Sequence, residues 1–466
     1  MRPTTDDRFS NYDDDVREIV LDFETSQQSG LRRYYDADEM EIIIDFYMDV
    51  CEIDQVEYGV RYAENLFPES TGIRVRRAIL LINKGQHDKA LPIAQELHRM
   101  EPENTEVLFA LGVIYSALGQ PMKSIQYYLG AAHDKNSLEI IYYNIAIEYC
   151  AMSRYEEAIH YYKKAIKQNP EYIDALHALA DTYYESERTA DSVQYFQQLA
   201  QDKPYNKEAW LLLAEGYYKL SLYEKAIDAA EYARTIDNKF TPAYLIIADC
   251  YRDMNQPGKA TSTLLECKDF CEKPEWIYYL IGSIYFYNTP QNIPTAIIYY
   301  RKAIEIDPFQ CDALHDLARC YDEMLDYGSA AQFIDRAIDA APPLADYHFD
   351  AAQIHMHNFD FEKAEENFKR ALDLDNSKDE YWLLYALFLY ANQRFDEAID
   401  LLNGGIGTAD EQERFDAIMA ACYYQMGKIS LFKNIALNYY KDDNTYDQLW
   451  MDALMHICPE AVETLP

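Results

Sequence analysis

A nearly absent side chain returns every 34 residues along most of this chain, always at the same places in a pattern of large ones. Residues 141–170, IYYNIAIEYCAMSRYEEAIHYYKKAIKQNP, contain one full cycle. They read as two helical patterns joined by a tight turn at 152–155. Ala146, Ala158 and Ala165 are small, Tyr142, Ile145, Tyr149 and Tyr162 are large, and Pro170 closes the cycle. Two antiparallel helices approach closely only where a side chain is nearly missing, and large residues fill the wider gaps on either side. Proline cannot donate the next helical hydrogen bond, so the second helix stops there.

Counted in steps of 34, repeats begin at residues 37, 71, 105, 139, 173, 207, 241 and 275. The eighth carries two extra residues in its turn at 288–294, where Pro290 and Pro294 suit a longer loop, and the count resumes at 311, 345, 379 and 413. The eighth position of each repeat is Gly or Ala in eleven of twelve, the exception being Ile44. The eleventh is Tyr in nine of twelve, with Leu81, His355 and Leu389 in the others, and this periodic use absorbs part of the chain's 43 tyrosines. The second helix has its own small site, from Ala90, Ser124 and Ala158 through to Ala364 and Ala398. A closing proline stands at Pro68, Pro102, Pro170, Pro204, Pro308 and Pro342.

A 34-residue helix–turn–helix with these small, aromatic and proline positions resembles the tetratricopeptide repeat (TPR). The resemblance covers residues 37 to about 425. It implies an all-α fold, an α-α superhelix or TPR solenoid of about twelve repeats, in which no repeat buries its apolar face alone. The pattern departs at both ends. Ile44 and Val56 occupy the small sites of the first repeat, which implies a looser crossing, and Phe432 stands where Ala belongs in the last. The expected organisation is an extension over 1–36, the array over 37–441, and a capping helix (445–458) with a tail over 442–466. In the extension, Val16, Ile19, Val20 and Phe23 recur at helical spacing, predicting one amphipathic helix. That helix covers the open end of the array or, alternatively, docks in the protein's own groove.

Composition narrows the function. A net charge of −38 and a pI near 4.5 repel phosphate backbones and anionic lipid, so neither nucleic acid nor a membrane surface is an expected partner. The nine cysteines form no CxxC pair, and Cys267 and Cys271, one helical turn apart, are too few to hold a metal. The first fifteen residues lack an apolar run and are too acidic for a transit peptide, and the aromatic run 276–287 is too short to span a bilayer. A cytoplasmic location is the expectation. His177 and Asp181 share a helix face, but no nucleophile or oxyanion loop accompanies them. His348 and His355 fall at core positions, and Gly404, Gly405 and Gly407 suit a helix end better than a phosphate loop. No enzyme activity, cofactor or metal is expected.

The resemblance further implies a concave face lined by positions two, five, nine and twelve of each first helix. On this sequence that map gives Phe109, Val113, Tyr143, Ile147 and Cys150 as an apolar patch. It then gives His177, Asp181, Tyr184, Glu215, Tyr218, Asp249 and Arg252. Trp276, Tyr279 and Phe286 follow, then His315, Arg319, Phe349 and Met356. Asp181, Glu215 and Asp249 form a mid-helix acidic column whose mutual repulsion, about 0.4 kcal/mol per pair in water, no helix rule offsets. Tyr184 and Tyr218 lie beside it, and tyrosine with carboxylate suits Lys or Arg. The carboxylate-gripping mode of chaperone-binding TPR domains does not fit, because these acids would repel a C-terminal carboxylate. The reading that follows is a non-enzymatic scaffold binding a protein or peptide segment with basic residues and an apolar anchor. The alternatives are a structural subunit acting through its convex face or ends and, less favoured, an enzyme or small-molecule sensor using the groove.

Overall fold

A computed structural model describes residues 7–9, 12–29, 33–133, 137–288, 291–341, 343–405, 412–440 and 446–465. Pro290, Pro342, Gly407 and Thr445 lie outside the described residues. Regular structure among the described residues is all helical. A 3-10 turn (Asp7–Phe9) and α1 (Asp14–Ser29) come first. Helix pairs follow: α2 (Ala37–Asp49) with α3 (Ile53–Leu66), α4 (Thr71–Asn83) with α5 (His87–Met100), α6 (Thr105–Ala117) with α7 (Pro121–Ala131), and α8 (Leu138–Ala151) with α9 (Tyr155–Gln168). Next come α10 (Ile173–Glu185) with α11 (Thr189–Asp202), α12 (Lys207–Lys219) with α13 (Tyr223–Ile236), α14 (Thr241–Asp253) then α15 (Pro257–Cys267), and α16 (Pro274–Tyr287) with α17 (Ile293–Ile306). The last pairs are α18 (Cys311–Glu323) with α19 (Tyr327–Ala340), α20 (Ala345–His357) with α21 (Phe361–Leu374), α22 (Asp379–Ala391) with α23 (Phe395–Gly405), and α24 (Gln412–Gln425) with α25 (Ile429–Asn438). Two helices end the chain, α26 (Gln448–Ile457) and α27 (Pro459–Val462). The first helices begin within one residue of the 34-residue count. The chain divides into two bodies, Met1–Ile246 and Ile247–Pro466.

Packing explains the spacing. The eighth-position residue is buried in every repeat, and the ten small residues from Ala90 to Ala398 on the second helices have no exposed surface. At Gly112 an added Cβ would lie 2.4 Å from the Tyr128 ring, and at Gly282 it would lie 2.5 Å from Tyr300. The first repeat corrects the expectation of a looser crossing. Ile44 and Val56 are both fully buried, and Gly59 on α3 supplies the gap, its hypothetical Cβ only 3.1 Å from Ile44. In the last repeat, buried Phe432 packs with Ala417, Ala420 and Ala421 of α24, so the small residues have again changed helices.

Among the described residues, every repeat but the eighth stops its first helix in the same way. The sixteenth residue's N–H donates to the eleventh residue's carbonyl at 2.7–3.0 Å, as from Gln120 to Tyr115, the Schellman arrangement. It needs a left-handed residue at position fifteen, and among the described residues eleven repeats have one, including Gly85, Gly119 and Gly427 but also Ser153, Leu325 and Phe359. In the eighth repeat Asn292, two places further along, donates to the Tyr285 carbonyl at 2.8 Å.

None of the eleventh-position tyrosines is exposed. Several of them stack flat on an aromatic residue twelve places on, or fourteen in the eighth repeat: Tyr115 on Tyr127 at 5.3 Å, Tyr149 on Tyr161 at 5.6 Å, Tyr285 on Tyr299 at 6.1 Å. Cations cover these rings. Lys163 lies over Tyr183 and Tyr195, Lys164 over Tyr142 and Tyr161, and Lys302 over Tyr278 and Tyr299, all within 5.6 Å. At the ends, α1 lays Val20 and Phe23 against the α2–α3 core, with Phe9 stacked on Phe46 at 4.9 Å. At the other end α26 buries Trp450 and Leu454 against α24 and α25.

Candidate functional site

In the N-terminal body the first helices build an apolar cleft. Val75 and Ile79 on α4, Phe109 on α6, and Ile140 and Ile141 on α8 wall a cavity of about 460 Å³. Asp45, Arg76 and Glu106 stand at its edge. Arg76 is buried and held by three carboxylates: Asp45 in a two-pronged contact at 2.6 and 2.9 Å, Glu41 at 3.0 Å and Glu106 at 3.5 Å. Burial raises the Glu41 pKa above its ordinary value. One cation against three anions leaves the edge negative. Further along the same face, Tyr143 is half-buried with its ring 5.1 Å from Tyr172, and Ile147 is exposed.

On α10 and α12, His177 contacts Glu208 at 3.3 Å, and that hydrogen bond raises the imidazole pKa above the ordinary histidine value. Burial pushes the Glu215 carboxyl up as well, with His177 acting against it, while Asp181 stays exposed. Tyr218 is half-buried, 5.8 Å from the Tyr223 ring. Two sequence expectations change here. Lys219 lies 4.6 Å over the Tyr184 ring, so the chain itself supplies the cation expected there from a ligand. Asp249 is ion-paired with Arg252 one turn on, so the repulsion assigned to the column is offset at its third member and Arg252 is engaged by its own helix.

In the C-terminal body Trp276 remains exposed and Tyr279 is half-buried, 5.9 Å from Tyr300. Phe286, Phe349 and His315 are buried, which corrects their expected display to a ligand. Phe349 packs on Tyr381 of the next first helix at 4.5 Å, and Phe286 lies under Arg319 at 5.3 Å. His315 and Arg319 belong instead to a closed polar network around Asp316, which is only 3% exposed. Tyr287 and Tyr300 donate to Asp316 at 3.0 and 3.1 Å. Arg319 donates to the Tyr287 hydroxyl at 2.8 Å and lies 3.7 Å from Asp316. His315 bridges Asp316 (3.4 Å) and Asp350 (2.8 Å) and lies flat on Tyr347, with ring centres 4.2 Å apart. Burial alone would lower the His315 pKa, but the two aspartates outweigh it and raise it to about 9. Asp316 and Asp350 were missed from sequence. The signal was there: both are charged at the sixth position, which is apolar in most repeats.

A second apolar cavity, about 660 Å³, lies between Leu383 and Leu387 of α22, Ile418 of α24 and Leu449 and Ile457 of α26. The sequence map stopped at the tenth repeat and did not reach it. Among the described residues, no group of three or more His, Cys, Asp or Glu side chains could hold a metal ion, and no helix is long and apolar enough to cross a membrane.

Family models described as tetratricopeptide repeat match residues 75–137, 150–215, 299–332 and 355–428, together about half of the chain. No curated protein matches the sequence. Solved structures similar to this chain include the Cut9–Hcn1 hetero-tetramer of the APC/C, at 13% identity over 89% of this chain and 97% of that one, with a TM-score of 0.38. MamA matches at 20% identity over 38% of this chain and 94% of its own, with a TM-score of 0.31. TTC0263, a thermophilic TPR protein of Thermus thermophilus, matches at 21% identity over 39% and 98%, also at 0.31. Scaffolds of this repeat type are typical of protein–protein interaction and assembly subunits, and no catalytic family is indicated. On the matched repeats and the helix pairs that carry them, the chain belongs to the tetratricopeptide repeat family.

Proposed function

We propose that the chain is a non-enzymatic scaffold whose first-helix face in the N-terminal body binds a protein segment with an apolar anchor next to basic residues. The observation that carries this reading is the cleft walled by Ile79 and Phe109 with three carboxylates against one arginine at its edge. The anchor enters the cavity, and the flanking cations meet Glu106 and, further along the face, Asp181 and Glu215. The partner segment is extended or helical.

Affinity capture with the wild type and with Ile79→Glu/Phe109→Glu tests the reading. Ile79 and Phe109 are only partly buried, so the variant is expected to fold. A partner held by the cleft is lost from the variant, and a synthetic segment of it binds at least tenfold more weakly. Glu106→Gln flattens the salt dependence of that binding, because one fewer charge is engaged. Identical capture by both proteins would remove the cleft from the function.

A further inference from the structure

The turns of the ninth and tenth repeats depart from the others. Position fifteen takes a left-handed backbone, and elsewhere it holds small or polar residues, from Gly85 and Ser153 to Glu187 and Gln393. Here it holds Leu325 and Phe359, both with φ of 62°. Neither side chain gains burial in return. Leu325 is 71% exposed and Phe359 79% exposed. A bulky apolar residue in a strained turn, pointing into water in two consecutive repeats, has no account in the packing of this chain. The helix ends that flank the two turns touch. His357, which closes α20, bonds Asp322 in the last turn of α18 at 2.8 Å and packs on Tyr327, the first residue of α19, at 5.4 Å. Exposed Phe361, 6.3 Å from Phe359, extends the patch.

The surroundings select the partner. Glu323, Asp326 and Glu362 are exposed in these turns or on the helix ends beside them. The nearby Lys363 is committed to Asp335 at 2.7 Å, and the His357 ring is held by Asp322. Such an edge repels an anionic membrane and, at a net charge of −38, a second copy of this chain.

We propose that the Leu325–Phe359 turn edge is a second protein-docking surface, separate from the first-helix cleft, that takes a segment with an exposed apolar side chain flanked by Lys or Arg. The strained residues are held in the tight turns, so the contact is pre-organised and its ordering cost is small.

Leu325→Gly/Phe359→Gly in the full chain is the discriminating variant. It removes the apolar tips and relieves the left-handed strain, so it melts at or above the wild-type temperature. Random twelve-residue peptides displayed on phage are selected on the wild type with depletion on this variant. The expected survivors carry an aromatic or aliphatic residue with neighbouring Lys or Arg, and a synthetic survivor binds the variant at least tenfold more weakly while binding Ile79→Glu/Phe109→Glu unchanged. Vesicles of phosphatidylcholine with phosphatidylserine remain unbound. The proposal is overturned by survivors without that signature, by no survivors, by equal binding to the variant, by vesicle binding that needs Phe359, or by a melting temperature below wild type.

Discussion

Asp316→Ala should destabilise the C-terminal body by about 3–5 kcal/mol, read as a lower urea midpoint in near-ultraviolet circular dichroism. The carboxylate is buried and receives two tyrosine hydroxyls, with Arg319 and His315 close by. Removing it takes the carboxylate acceptor from two hydroxyls, leaving Tyr300 only the Ser283 hydroxyl at 3.4 Å, and leaves two cations facing Asp350 alone, which is the costly way to break a buried pair. The same network predicts a pH dependence. His315 has a folded pKa of about 9, above the ordinary value near 6.5 of an unfolded chain. Its contribution is therefore fully present below pH 6.5 and is lost as pH rises through 9, a fall on the order of 3 kcal/mol. Aspartates 316 and 350, Arg319 and the Tyr347 ring are the groups that face it. His315→Gln should flatten the unfolding midpoint across that window. A profile of wild type that is already flat there would place the imidazole outside the network's charge balance.

Gly282→Leu should have a comparable effect, about 3 kcal/mol or more, through overpacking. Even a single added methyl would meet the Tyr300 ring at 2.5 Å, and that ring is fully buried and tied to Asp316. It cannot swing aside without giving up its acceptor. Gly282→Ala should cost about 1–3 kcal/mol, and most of that should vanish in a Tyr300→Leu background, where the ring is gone. Additive losses in the double variant would mean that the glycine serves something other than this contact.

The comparison of sequence with structure divides along physical lines. The repeat phase was legible because close helix crossings demand small residues at fixed spacing, a constraint local to one repeat. The buried and half-buried eleventh-position tyrosines followed for the same reason, although their stacking partners on the second helices were not foreseen. Where the small residue moved to the opposite helix, as Gly59 did for Ile44, a single-position template misread the crossing as loose. The exposed face was less legible. Phe349 and Phe286 occupy groove positions in the template but are covered by Tyr381 and Arg319. Exposure at those positions depends on what neighbouring helices carry, and the template of one repeat holds no such information. Lys219 over Tyr184 is a similar case, in which the chain's own cation took the place imagined for a ligand.

The hydrogen bond that halts each first helix runs from one main-chain group to another, and this separates loop length from the rhythm of the stack. The eighth repeat keeps its Asn292-to-Tyr285 bond across two additional residues, and the next helix pair resumes in step. These turns are accordingly where the architecture can be lengthened at little energetic expense, whether by natural insertion or by a short reporter peptide spliced in for labelling.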